Sequence, residues 1–194
     1  MSKSDPGTSK KERNKTIRWV VTIFFVTIFV SGTISFASDA IMAGSTMLVA
    51  FIILFAIVLI GILFDVVGVA VTSADEKPFH SMAARKVPGA QEAIRLLRNA
   101  ERVSSICNDV VGDICGVVSG SASATIAAQI LNNFEFSWTL IVPLLLSALV
   151  AGLTVGGKAI GKTFAMGSCT AIVHGVGKII WAFSHLPQKT KKRT

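Results

Sequence analysis

The stretch Met47–Thr72, MLVAFIILFAIVLIGILFDVVGVAVT, holds a single ionisable residue, Asp65, in twenty-six positions. A helix rises about 1.5 Å per residue, so a run of this length spans the roughly 30 Å hydrocarbon core of a bilayer. The whole chain has a similar character, with 52% hydrophobic and 15% charged residues among 194 and a mean hydropathy of +0.65. The composition therefore predicts an all-α integral membrane protein and argues against a water-soluble enzyme.

Three more apolar runs lie outside this stretch, and together the four predict four transmembrane helices. The other runs are Trp19–Phe36, Val103–Leu131 and Trp138–Val155. The first follows a basic arm, residues 1–18, which we expect to be unstructured. It is also too long for the apolar part of a usual signal peptide. We therefore predict that the first helix is retained and that a four-span domain covers residues 19–163.

The nineteen Lys and Arg residues fall in three segments, with six in the basic arm, six between residues 75 and 102, and seven from Lys158 onward. The other two loops hold only the acids Asp39 and Glu135. Basic residues are retained on the cytoplasmic side of a membrane, so we predict a plasma (cytoplasmic) membrane protein with both termini and the middle loop inside. The net charge of +8 then indicates contact with anionic lipids, and we expect no nucleic-acid partner.

Two regions outside the predicted spans also have helical patterns. Residues 75–102 are too polar to span, and they predict two short cytoplasmic helices separated by Pro88 and Gly89, the second of them amphipathic. Residues 164–194 predict an amphipathic C-terminal helix on the membrane surface, followed by a basic tail. A fifth span there would place the last four basic residues outside, against the charge rule.

Ionisable residues inside a bilayer are costly and mark ion paths, proton paths or structural ion pairs. Asp65 lies seven residues before the end of the second predicted span, and Asp109 and Asp113 lie six and ten residues after the start of the third. Similar depths are predicted for Lys158, which ends the fourth span, and for the Asn108 amide. Because oxygen ligands suit magnesium, Asp65, Asn108, Asp109 and Asp113 are candidate metal ligands. The alternatives are ion pairs between helices through Lys158, and separate acids that reach the interface.

Gly112, Gly116 and Gly120 recur at four-residue intervals in the third predicted span. Small residues at this spacing let two helices approach closely. The pattern predicts tight packing within one chain or a homodimer, and the sequence leaves both open.

Motifs of an enzyme nucleophile or a phosphate-binding loop are absent from the sequence, so we expect no enzymatic activity. The three cysteines are an odd count without metal-ligand spacing. We therefore expect neither a disulfide framework nor a resident cofactor.

Four segments of the chain follow one another in the order found in a known family. FDVVGVAVTSADEKPFHSMAARK (64–86) is similar to the end of that family's first helix, where Ala70 and Ser73 fit. RLLRNAERV (95–103) is similar to a loop ending in Asn-Pro-(Asp/Glu)-Arg, ICNDVVG (106–112) to Ile-Gly-Asn-Asn-Leu-Val-Asn, and GKAIGKTFA (157–165) to Gly-Glu-x-x-Pro-Lys-Thr-x-Ala. Over residues 64–165 the chain thus resembles the transmembrane domain of the CNNM/CorB magnesium transporters.

The resemblance implies three spans with a cytoplasmic helical pair between the first two, a homodimer, and binding or transport of a divalent cation, magnesium first. Gly68 and Lys158 stand where the family has Glu. The chain ends at Thr194 without the family's nucleotide-sensing CBS pair, so we expect any regulator to be a separate cytoplasmic chain. The alternatives are a non-transporting scaffold or subunit with structural Asp and Lys ion pairs, and proton-coupled transport of a small anion attracted by Lys158.

Overall fold

A computed structural model describes residues 6–133 and 141–184, and every regular element among them is a helix. In chain order these are α1 (Pro6–Ala43), α2 (Met47–Ser73), α3 (Lys77–Ala84), α4 (Ala90–Arg98), α5 (Ala100–Ser105), a π-helical segment (Ile106–Gly112), α6 (Asp113–Asn133), α7 (Ile141–Gly167) and α8 (Cys169–Ser184).

Four stretches of helix are long and apolar enough to cross a membrane. They are Ile17–Met42 within α1, the whole of α2, Ala100–Asn132 from α5 through α6, and the whole of α7. The prediction of an all-helical protein with four helices that are compatible with membrane spans is therefore confirmed. The two short helices predicted between the second and third spans are present as α3 and α4, while their cytoplasmic placement stays a prediction.

The first helix is longer than its apolar run. It begins at Pro6 and ends at Ala43, so most of the basic arm is helical and the prediction of an unstructured arm is wrong from Pro6 onward. Asp39, which we expected in a loop, lies inside the helix. The sequence after Phe36 continues with small and apolar residues that a helix accommodates without a break.

The helix α1 runs parallel to α6. The guanidinium of Arg102 stands 5.6 Å from the ring centre of Trp19, and the hydroxyl of Ser121 donates to both carboxylate oxygens of Asp39 at 3.4 Å. Nearer the end of α1, the amide of Gln129 donates to the carbonyl oxygen of Met42 at 3.1 Å. These contacts fix the register of α1 along one edge of the bundle.

The fourth span also differs from its prediction. Trp138 lies outside the described residues, and α7 continues past Val155 to Gly167. Lys158 is therefore nine residues inside a helix rather than at its end, and the predicted domain boundary at residue 163 falls within α7.

Buried apolar residues form two separate cores along the bundle. The bundle core joins α1, α2, α6 and α7 near the turn between α1 and α2; it consists of Met42, Ala50, Leu54, Val58, Ala122, Ile126 and Val150. The cap core lies at the opposite end, where α2 and α7 finish and α3, α4 and α8 pack; it consists of Ala70, Val71, Phe79, Ala93, Ala165 and Val173. We call α3, α4, α8 and these helix ends the cap.

The helix α8 is docked on α4 as well as attached to α7. A Cβ added to Gly177 would collide with the carbonyl oxygen of Gly89, so the two backbones are in direct contact. Gly89 has φ +83°, a left-handed conformation that favours glycine, and it precedes the first residue of α4. His174 adds a contact of 3.2 Å from Nε2 to the carbonyl oxygen of Pro88. The predicted C-terminal helix is present, and its position on a membrane surface stays a prediction.

Candidate functional site

A polar layer separates the bundle core from the cap core. It contains Asp65 on α2, Lys158 on α7, and Asn108 and Gly112 in the π-helical segment. The ammonium Nζ of Lys158 lies 3.8 Å from Oδ1 of Asp65, and the side chains are only 27% and 16% exposed. The structure therefore brings together opposite charges from two helices at a depth where an isolated charge is costly.

Gly112 provides the space into which Lys158 extends. A Cβ added at Gly112 would lie 3.3 Å from Nζ of Lys158 and 3.4 Å from the carbonyl oxygen of Cys107. The first distance is tighter than most such contacts, so a larger residue would press on the lysine head group. Gly112 is thus packed inside the chain, while the choice between packing within one chain and a homodimer stays open for the stripe as a whole.

Asn108 joins the π-helical segment to α2. Its Nδ2 donates to the hydroxyl of Ser104 at 3.1 Å, and its amide oxygen is buried without a hydrogen-bond partner among the described residues. A Cβ on Gly68 would collide with that oxygen. The amide therefore fills the place beside α2 that any side chain at Gly68 would need.

The π-helical segment itself is one widened stretch between α5 and α6. Such segments form where the usual helical bonding pattern is interrupted, and they are frequent at functional positions. Here the segment carries Asn108 and Gly112, the two residues that contact α2 and α7 in the polar layer.

Asp109 and Asp113 face the outside of the bundle. Both side chains are exposed, and Oδ2 of Asp109 accepts a hydrogen bond of 2.8 Å from the hydroxyl of Ser105. The four predicted metal ligands are thus divided, since Asp65 and Asn108 line the interior and the other two carboxylates do not. Among the described residues there is no group of three or more His, Cys, Asp or Glu side chains that could hold a metal ion.

The two outer glycines of the predicted stripe are open. A Cβ on Gly116 or Gly120 would meet no atom within 4 Å, and both residues line a groove of about 250 Å³ between α6 and α7. The α7 side of the groove includes the hydroxyl groups of Ser147 and Thr154. This groove follows the outer part of the stripe, whereas Gly112 is buried.

One polar contact inside the spans was not predicted from the sequence. Asp39 and Ser121 join α1 to α6, because α1 continues for about two further turns beyond Phe36, to Ala43. The signal was present in the residues after Phe36, which contain no proline or glycine before Gly44.

Comparisons of the chain with protein-family models, with curated proteins and with solved structures find no match. The resemblance to the CNNM/CorB family therefore stays a prediction that rests on the four segments described above.

Proposed function

We propose that this protein is a non-transporting membrane subunit or scaffold, in which the pair between Asp65 and Lys158 holds α2 and α7 in register against α6. The observation that carries the proposal is the 3.8 Å approach of the two charged groups inside the bundle. Each charge neutralises the other, so the layer is stable without an added ion.

The neighbourhood of the pair supports a structural role. A divalent cation beside Asp65 would be repelled by the Lys158 ammonium, since like charges a few ångströms apart in a medium of low dielectric interact strongly. The place beside Gly68, where the resembling family has Glu, is filled by the Asn108 amide. Both family carboxylate positions are thus used here for helix packing.

We propose the topology that follows from the charges. All the described Lys and Arg side chains lie on the cap or in the half of a spanning helix nearest to it, and none lies near the turn between α1 and α2. Basic residues are retained on the cytoplasmic side of a membrane, so the cap, with α3 and α4, would lie in the cytoplasm. The bundle would then span the plasma membrane. Anionic lipids would then contact the cap, and a separate cytoplasmic chain would meet the protein there.

Charge exchange between α2 and α7 tests the structural role. We expect Asp65→Lys and Lys158→Asp each to lower the free energy of unfolding by about 2–4 kcal/mol, because each leaves like charges facing one another in the layer. The double variant should recover more than half of that loss. Thermal unfolding of the full chain in detergent gives the values, and the difference between the sum of the single effects and the double effect gives the coupling.

The matched control is Lys162→Asp, which changes an exposed lysine one turn further along α7. Combined with Asp65→Lys, this variant should show no recovery. A double exchange at Asp65 and Lys158 that is as unstable as the sum of its single variants would refute the structural pair.

The second candidate is binding or transport of a divalent cation, magnesium first, and one observation favours it. Asp109 and Asp113 are exposed at similar depth, and neither takes part in the ion pairs formed within the described residues. Carboxylate oxygens of this kind are the ligands that magnesium prefers.

Calorimetry with magnesium chloride at neutral pH and fixed ionic strength separates the two candidates. Saturable binding that is lost in Asp109→Asn and retained in the control Asp39→Asn would establish the cation site. If neither the wild type nor the control gives a saturable heat of binding, the second candidate is rejected and the scaffold proposal stands.

A further inference from the structure

One face of α6 is left uncovered between α1 and α7. It is exposed along its whole length at positions three or four residues apart, which share one side of a helix. The open face consists of Asp109 in the preceding π-helical segment and of Asp113, Val117, Gly120, Ala124 and Ala128 in α6. Helix α1 contacts α6 on one side of it through Ser121 and Gln129, and the groove with α7 forms the other side.

Asp113 lies 13 residues inside the candidate span Ala100–Asn132, so the proposed topology places the acidic end of the open face at hydrocarbon depth. Gly112, directly before Asp113, has the Lys158 ammonium 3.3 Å from its Cβ position, so Asp113 is level with the interior ion pair. Asp65 in that pair is eight residues inside the end of α2, or about 12 Å along the helix axis. A carboxylate facing acyl chains at this depth costs several kcal/mol unless another group covers it.

We infer that the open face of α6 binds a transmembrane helix of another protein that carries a Lys or Arg side chain at the depth of Asp113. This inference rests on the proposed scaffold function and names the kind of partner. The cation would pair with Asp113 and Asp109, and the small residues Gly120, Ala124 and Ala128 would let the two backbones approach.

The groove supports the same occupant. Its wall on α7 presents the hydroxyl groups of Ser147 and Thr154, and the hydroxyl of Thr154 already donates to the carbonyl oxygen of Val150 at 2.8 Å. The oxygen of Thr154 therefore remains an acceptor for a donor on an incoming helix. Acyl chains have no such donor, whereas a helix with a polar side chain does.

A second copy of this chain fits the open face less well. Symmetric packing of α6 on α6 would place Asp109 and Asp113 against the same residues of the other copy, and like charges at this depth repel. Neither carboxylate takes part in the ion pairs formed among the described residues. A basic side chain on a different chain would supply the complementary charge.

A model helix tests the inference with the full-length protein. The probe is a synthetic transmembrane peptide of about 25 leucine and alanine residues with one Gly-xxx-Gly pair and a single Lys at the depth of Asp113. Its matched version has Leu in place of Lys. Energy transfer between labelled peptide and protein in phosphatidylcholine liposomes measures association.

We expect the Lys peptide to bind about tenfold more tightly than the Leu peptide. The combined variant Asp109→Asn with Asp113→Asn should remove that difference, and Asp39→Asn should keep it. Gly120→Leu should weaken the binding of both peptides, because the leucine side chain would occupy the open face. The chain itself has room for the substitution, since a Cβ on Gly120 meets no atom within 4 Å. Equal binding of the two peptides to the wild type would overturn the inference.

A second measurement excludes the homodimer. A photoreactive benzoylphenylalanine at Val117, illuminated in liposomes without peptide, should leave the protein monomeric on a denaturing gel. A covalent product of two protein chains would show that a second copy covers the face and would overturn the inference. Suppose that one of these two results overturns the inference, while the double exchange at Asp65 and Lys158 recovers stability. The scaffold proposal would then remain intact.

Discussion

The contact between α4 and α8 and the outer faces of α6 and α7 differ in the space around their glycines. Where α8 meets the start of α4, Gly89 and Gly177 are in backbone contact, and no side chain fits between them. On the outer faces of α6 and α7, Gly116, Gly120 and Gly152 have no atom within 4 Å of a Cβ position. The contact between α4 and α8 is therefore closed, while these outer faces leave small-residue surface for lipid or another helix to cover.

The contact between Gly177 and Gly89 is the most sensitive point in the cap. Gly177→Leu should lower the free energy of unfolding by about 3–5 kcal/mol or release α8, because backbone atoms of α4 have no room to move aside. Thermal unfolding in detergent, together with maleimide labelling of Cys169, measures both effects.

The matched control for this substitution is Gly175→Leu, since a Cβ on Gly175 meets nothing within 4 Å. Equal destabilisation by the two leucines would show that α8 is not held by this backbone contact and would remove the distinction drawn for the cap.

Gly68 is the closed glycine of the polar layer, and its effect should be the next largest. Gly68→Ala should cost about 2–3 kcal/mol, because the added carbon collides with the Asn108 amide oxygen. Adding Asn108→Ala removes the obstacle and should restore about half of the loss. Unfolding of the single and double variants in detergent gives the coupling.

Gly152→Ala serves as the open-glycine reference for Gly68→Ala. It should leave the stability unchanged or raise it by up to about 1 kcal/mol, since alanine favours a helix over glycine and no atom opposes it. A loss as large as that of Gly68→Ala would mean that the bundle surface is covered in the isolated chain.

The link between α1 and α6 should have a smaller effect. Ser121→Ala removes the hydroxyl that donates to Asp39 at 3.4 Å, and long hydrogen bonds of this kind contribute about 0.5–1 kcal/mol in a membrane protein. Ser119→Ala is the reference, because the Ser119 hydroxyl donates to Gly116 on its own helix. Indistinguishable melting curves for the two variants would show that α1 is held by apolar contacts alone.

The smallest effect is expected on the cap surface. Nε of Arg98 donates to Glu76 at 3.0 Å, with both side chains partly exposed. Arg98→Gln should cost less than about 1 kcal/mol, and added salt should shrink the cost further. A loss above about 2 kcal/mol that is insensitive to salt would place this pair in the packed part of the cap.

The spans could be predicted because hydropathy and length determine them. The predicted run Met47–Thr72 differs from α2 by one residue at its end. The end of α7 was harder, since Lys158, Lys162 and several glycines lower the hydropathy after Val155. The helix continues there, and Lys158 has a partner on α2. A pattern in one segment carries no information about a charge on another.

The predicted metal site shows the other limit. Depth could be read from the sequence, and it placed Asp65, Asp109, Asp113 and Lys158 at one level. The direction in which each side chain faces could not be read from the sequence, because it depends on how each helix is rotated about its axis. The π-helical segment widens the turn just before Asp113 and so shifts the rotation of the residues on either side of it. Only the pair of Asp65 with Lys158 was recoverable, as one of the alternatives left open.

A single residue, Ser168, joins α7 to α8. The helix α7 has 27 residues and is therefore a stiff rod of about 40 Å. Its cap end is fixed to α4 through α8 and its middle is fixed to α2 through Lys158. A displacement of α7 along its axis by one turn, about 5.4 Å, would have to break both attachments together. The two contacts thus act together to resist sliding of α7 along its axis relative to α2 and α4.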